Sequence, residues 1–351
     1  MKPLKIGDLV AKVPIIQGGM GIGVSLSELA GTVAKEGGIG VISAAQIGFE
    51  DENFRKNPDE ANYKAIQQHI KRAREIAPNG ILGINIMVVT KNYAEHVKEA
   101  VKNGIDLIIS GAGLPTELPG LVKGSKTKIA PIVSSTKSAR VILKLWDKHH
   151  QVAPDAVIIE GPKAGGHLGF KYDQLEDEKT YSGFDEEVKG IIEKVKEYAV
   201  KYKKEIPVIV GGGVSSHEDM EHYLALGADG IQVATPFVTT KECDAHENFK
   251  NAYVNAKKED IVLVKSPVGM PGRAVRTKFM DKVAKEGRIA PTSCFQCMSV
   301  CNPKEAVYCI TERLINAVRG DVENGLVFCG ADAWKYNEIT TVHDVIQSYI
   351  G

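Results

Sequence analysis

Eight short apolar runs, each followed by a longer amphipathic stretch, do more than any other feature to limit what this chain can fold into. They span residues 14–17, 39–43, 81–87, 107–110, 129–133, 156–160, 207–211 and 230–234. All are rich in Ile and Val with little polar–apolar alternation, as in parallel strands buried on both faces. Helical patterns between them complete βα units, and eight such units predict an α/β fold, a (β/α)8 TIM barrel. An open doubly wound sheet would also alternate strand and helix. Against it, no G-x-G-x-x-G follows the first run, and the Gly-rich turns stand at the seventh and eighth, where barrels build phosphate sites. Ser25-Leu26-Ser27-Glu28 reads as a capping box for a helix that Gly37-Gly38 ends, and Ser215-Ser216-His217-Glu218 as the start of one that stops at Gly227.

A barrel of this kind takes about 250 residues, so a chain of 351 has room for an added region. The pattern divides into a barrel over 1–240, a mostly helical, Cys-containing cap or substrate region over 241–330, and a C-terminal helix over 331–351 that returns to the barrel. Lys and Arg number 44, as do Asp and Glu, so the basic excess of a nucleic-acid binder is missing. No apolar run reaches the length of a membrane span, and the N-terminus lacks the apolar core of a signal peptide. The expectation is a cytoplasmic protein with a small-molecule or acyl-thioester substrate and no nucleic-acid or membrane partner. A homodimer stays open. In that compartment the six Cys read as thiols or ligands and not as disulfides.

Glycine is in excess, 35 residues against about 7% on average, and clusters at the ends of the apolar runs. Gly18-Gly19-Met20 follows the first run, where bare backbone would let a flat ring lie close; alone, it could be a tight turn. Gly211-Gly212-Gly213 follows the seventh, and Gln232-Val233-Ala234-Thr235 closes the eighth. Successive free N–H groups next to a helix N-terminus form an anion site, to which Thr235 would add a hydroxyl. After the sixth run comes Glu160-Gly161-Pro162-Lys163-Ala164-Gly165-Gly166-His167. An imidazole there could exchange protons near neutrality, or be merely a solvent-exposed loop residue. Asn85, a polar amide late in the apolar third run, needs a partner, either a ring edge or neighbouring loop backbone.

Taken together, Pro14-Ile15-Ile16-Gln17-Gly18-Gly19-Met20, Gly83-Ile84-Asn85-Ile86-Met87, the Glu160 to His167 stretch, the Gly211 triplet and Gln232 to Thr235 resemble the nitronate monooxygenase family, which includes bacterial enoyl-ACP reductase II. The likeness runs over roughly residues 1–280. It implies a barrel, bound FMN, and a loop His near the flavin at the position of His167. Two activities follow from it. In one, a nitronate or nitroalkane passes reducing equivalents to FMN and O2 reoxidises the flavin. In the other, NAD(P)H reduces FMN, which delivers hydride to an enoyl thioester.

The segment containing Cys294, Cys297, Cys301 and Cys309 departs from the ordinary pattern of that family. Its C-x2-C-x3-C-x7-C spacing could hold an Fe–S cluster or Zn, or be a set of buried or redox-active thiols.

Overall fold

The computed structural model describes residues 2–299 and 301–351. Met1 and Val300, the latter within the Cys-rich segment, lie outside the described residues. Eight parallel strands form a closed barrel: β1 (Ile15–Gln17), β2 (Ile39–Ser43), β3 (Ile81–Met87), β4 (Leu107–Gly111), β5 (Lys128–Val133), β6 (Val157–Glu160), β7 (Val208–Gly211) and β8 (Gly230–Val233). Each pairs with its sequence neighbours, and β8 closes on β1 with Val233 opposite Gln17.

The weak alternation of the runs has a direct cause. Val41, Leu107, Ile109, Ile158 and Ile209 fill the barrel interior, while Ile42, Ile84, Ile108 and Ile159 face the helices outside, so both faces of each strand are dry. An N-terminal hairpin, Leu4–Ile6 and Leu9–Ala11, plugs one end. Its Leu4 and Ile6 join the interior cluster, and Asp8 pairs with Lys128 at the start of β5 (2.6 Å). The opposite end, where the strand C-termini and Gly-rich loops lie, is the mouth.

The first helix, Ser27–Lys35, is not capped by the expected box. Ser25 Oγ instead accepts the Met20 N–H (2.8 Å). The carboxylate of Asp244 accepts N–H groups of Leu26, Glu28 and Leu29 (2.8, 3.1 and 3.2 Å), so the cap comes from beyond β8. The helix His217–Ala225 does take its cap from Ser216.

Beyond β8 the chain is helical in part, and it also builds a small antiparallel sheet across the mouth. Strands β9 (Ile261–Lys265), β10 (Pro271–Val275) and β11 (Val327–Phe328) pair in that order, and the two-residue strand Gly166–His167 adds to β10. Residues 289–299 and 301–309 belong to a strap fastened to the barrel loops: the Lys91 N–H donates to Cys297 O (3.1 Å), and Phe295 stacks on Phe54. The last helix, Val342–Ile350, packs Val342, Ile346 and Tyr349 against Ile15, Leu29 and Ile231.

Candidate active site

The rim after β1 is bare backbone held in place by side chains beneath it. Buried Gln17 accepts the Val41 N–H (2.9 Å), and the Gly18 N–H reaches Val233 O (2.9 Å). A Cβ on Gly19 would lie 2.5 Å from that of Asn85, so glycine is what lets Asn85 stand at this rim. The Asn85 side chain makes no hydrogen bond among the described residues. Gln232 is a sharper case: its Oε1 is buried without a partner. Such an orphan costs about 1–3 kcal/mol unless a ligand meets it.

Gly212 and Gly213 follow β7 with φ of +79° and +132°, backbone open to glycine. A Cβ on Gly212 would fall 2.7 Å from Gly161 O. The N–H groups of Gly212, Gly213 and Thr235 donate to no protein acceptor among the described residues. Strand pairing sets Gly211 beside Gln232, so the two loops flank one another. Ala234 precedes the short helix Thr235–Val238, and the Thr235 hydroxyl accepts the Gly330 N–H (3.2 Å). Free donors on adjacent loops, a bare cradle and an orphaned amide oxygen fit a ring-bearing phosphate ligand such as FMN.

His167 lies on the loop after β6, in the two-residue strand paired to β10. Its Nε2 is 2.7 Å from Ser266 Oγ, its ring meets Phe328 edge-on (4.9 Å), and it lines an apolar cavity with Met87, Val268, Met270 and Met298. Burial pushes its pKa down to about 4. The imidazole is therefore neutral at pH 7, and not the near-neutral titrating group that its loop position suggests.

Glu160 anchors the loop, its Oε2 accepting the Gly169 N–H (2.9 Å). Burial raises its pKa to about 7, against the pull of that N–H and of Arg273. Arg273 is itself buried. Its guanidinium donates to the carbonyls of Ala164 and Pro162, tying the loop of Gly165 and Gly166 to the cap sheet. The segment Cys329-Gly330-Ala331 packs on the same loop, with the Ala331 N–H on Lys163 O (3.0 Å), and a Cβ on Gly165 would meet the backbone of Cys329 at 2.5 Å. The sequence reading passed over Arg273 as a functional residue. A cation inside the apolar run of β10 was the available signal.

The cysteines do not assemble as a preformed ligand sphere. Cys294 is exposed, and Cys297, Cys301 and Cys309 are half-buried. Among the described residues no three His, Cys, Asp or Glu side chains converge on one point as metal ligands would. Burial raises the Cys297, Cys301 and Cys309 thiols, the last to about 11.

A family model described as nitronate monooxygenase matches residues 2–350. A probable nitronate monooxygenase of Staphylococcus aureus (strain Newman) is 25% identical over 303 residues, 80% of this chain and 80% of the relative. One of Staphylococcus saprophyticus is 24% identical, covering 91% and 86%. Among solved structures, FabK from Thermotoga maritima superposes with a TM-score of 0.71 at 26% identity, over 97% of this chain and 92% of that one. Nitroalkane oxidase from Streptomyces ansochromogenes does so at 0.70 and 19%, over 97% and 95%, a likeness of fold. No described helix is long and apolar enough to cross a membrane.

Proposed function

Because the chain belongs to the nitronate monooxygenase family and is an oxidoreductase of that flavin-dependent class, we propose that it oxidises nitronates, or their parent nitroalkanes, with O2 as the final acceptor. Bound FMN supplies the electron-accepting ring of the reaction. The residues that would hold it are Gly212, Gly213 and Thr235 at the phosphate, and Gly18, Gly19, Met20, Asn85 and Gln232 at the ring. Glu160, Gly165, Gly166, Gly211 and Ala234 shape the loops between.

The observation that carries the reading is the half-buried His167, held by Ser266 and facing an apolar cavity, with its pKa lowered. Such an imidazole is a weak base but a good hydrogen-bond partner. It suits a substrate that arrives already deprotonated, with its charge spread over two nitro oxygens, and it orients that group by an N–H donation. The alternative is NAD(P)H-dependent reduction of an enoyl thioester, favoured by the likeness to FabK at the higher identity and by the Met-lined cavity, which would take an acyl chain. Anaerobic mixing with a nitronate, NADH or NADPH, each alone, separates the two. Rapid flavin bleaching by the nitronate supports the first. Bleaching by a nicotinamide alone, with turnover of an enoyl thioester, replaces it with the second.

Two finer features belong to the same proposal. The reaction would run in the cytoplasm, a compartment where the six cysteines of the sequence stay reduced. The strap cysteines are candidate ligands for an Fe–S cluster or Zn. Their C-x2-C-x3-C-x7-C spacing within one short segment supports this, and ligation would require the strap to tighten. Elemental analysis of anaerobically purified protein tests it: Fe or Zn at about one site per chain supports ligation, and metal-free protein with full activity ends it.

A further inference from the structure

We propose that His96 and Gln46 form a polar patch on the cavity wall and take an uncharged oxygen function, a hydroxyl or carbonyl, carried on the substrate chain away from its reacting carbon. The inference rests on the oxidoreductase reading for the identity of the reacting end, and on its own geometry for the rest.

His96 stands in the first turn of the helix Tyr93–Lys102, just beyond β3. It is 4% exposed, it lines the same cavity as His167 and Met87, and neither of its ring nitrogens has a partner among the described residues. A buried imidazole normally has at least one nitrogen satisfied. Two orphaned nitrogens on a cavity wall point to an absent ligand. The ring is held from behind by the edge of Tyr63 (5.7 Å, 73°). Burial keeps it neutral, with Asp59 pulling the other way, so it presents one N–H and one lone pair.

Gln46 provides the second group. Its φ of +46° is a strained conformation for a side-chain-bearing residue, and such strain gathers at ligand sites. Its Oε1 accepts from Asn62 Nδ2 (3.1 Å), and Asn62 Oδ1 in turn accepts the Gly48 N–H (2.9 Å). That chain fixes the amide and leaves Gln46 Nε2 without an acceptor among the described residues. The cavity wall thus offers two donor nitrogens, carrying three N–H groups, and one acceptor, the complement of a hydroxyl or carbonyl. The Asp59 carboxylate also lines the cavity and opposes a second carboxylate beside it.

The test uses the flavin-loaded enzyme and ω-hydroxy nitroalkanes with chains of three to five carbons, each paired with the nitroalkane that has methyl in place of hydroxyl. Dissociation constants come from the perturbed flavin absorbance without oxygen, and kcat/KM from the nitronates in air. At the chain length that spans the cavity, the hydroxyl member should be preferred by roughly 3- to 10-fold, the worth of one net hydrogen bond. His96→Leu should erase the preference, and His96→Asn, which keeps a donor, should restore part of it. If His96→Leu does not fold, Gln46→Asn carries the test: it keeps a left-handed backbone and withdraws the donor by one methylene. Equal affinity for hydroxyl and methyl members at every length, or a preference that survives both His96→Leu and Gln46→Asn, overturns the inference and leaves the nitronate reading standing. A preference in binding that depends on His96, without turnover of any nitronate, upholds it while the nitronate reading falls.

Discussion

Burial moves two groups of the β6 loop in opposite directions, His167 down to about 4 and Glu160 up to about 7. For His167 the stability is present above its unfolded value near 6.5 and is lost as pH falls toward 4. For Glu160 it is present below about 4.5 and is lost as pH rises through 7. Between those limits the two slopes oppose, and each spans up to about 3 kcal/mol. His167→Asn should therefore unmask a stability that falls from pH 4.5 to 7, and Glu160→Gln one that rises from pH 4 to 6.5. Urea midpoints of the flavin-free protein across that range check this; parallel profiles in both variants would mean that neither group is buried as described. The same neutrality separates two substrates. His167→Asn should slow flavin reduction by neutral nitroalkanes, which need a proton acceptor, more than by nitronates, for which the loss should stay below about 10-fold, because asparagine still donates. Stopped-flow traces with equal losses for both substrates would remove the distinction. The position of His167 was legible from its glycines. Its protonation state was not, because it depends on burial by the distant cap, which sets Ser266 and Phe328 against the ring.

At the scale of elements, all eight strands could be read because each is dry on both faces, a property written locally in Ile and Val. Caps and cross-connections were less visible. The helix Ser27–Lys35 has serines of the right kind before it, yet takes its cap from a residue more than 200 positions away, which no local pattern can announce. Asp244→Ala should cost about 1–2 kcal/mol, and a melting curve unchanged from wild type would assign the cap elsewhere. The loop after β7 behaves differently, since its glycines mark a function as well as a turn. In Gly212→Asp a Cβ would press on Gly161 O in a left-handed conformation, and a carboxylate would stand where the phosphate is to bind. FMN affinity should fall by at least about 100-fold. Equilibrium dialysis of the folded variant gives the answer, and unchanged affinity would place the phosphate in another loop.

The whole molecule is organised so that the barrel presents the glycine cradle while the cap sheet presents His167, and Arg273 joins the two. From β10 its guanidinium donates to two carbonyls of the β6 loop and moderates the burial of Glu160. The same loop carries Gly161, which packs under Gly212. A disturbance at Arg273 should thus travel in two directions, to the imidazole through β10 and to the phosphate cradle through Gly161. Arg273→Met keeps most of the apolar stem and removes the donors, leaving buried carbonyls unpaired and Glu160 without its nearby cation. The expected cost is about 2–4 kcal/mol, read as a lower melting temperature, with release of flavin on heating at a correspondingly lower temperature. Substrate-dependent flavin reduction should fall even in fully loaded enzyme, because the His167 strand loses its alignment with the rim. Gly212→Asp, by contrast, should weaken FMN binding while leaving the cap in place. The architecture described here requires that the two variants differ in this way. If Arg273→Met melts at the wild-type temperature and reduces at the wild-type rate, the cap and the barrel are joined by other contacts, and Arg273 is a passenger in the sheet.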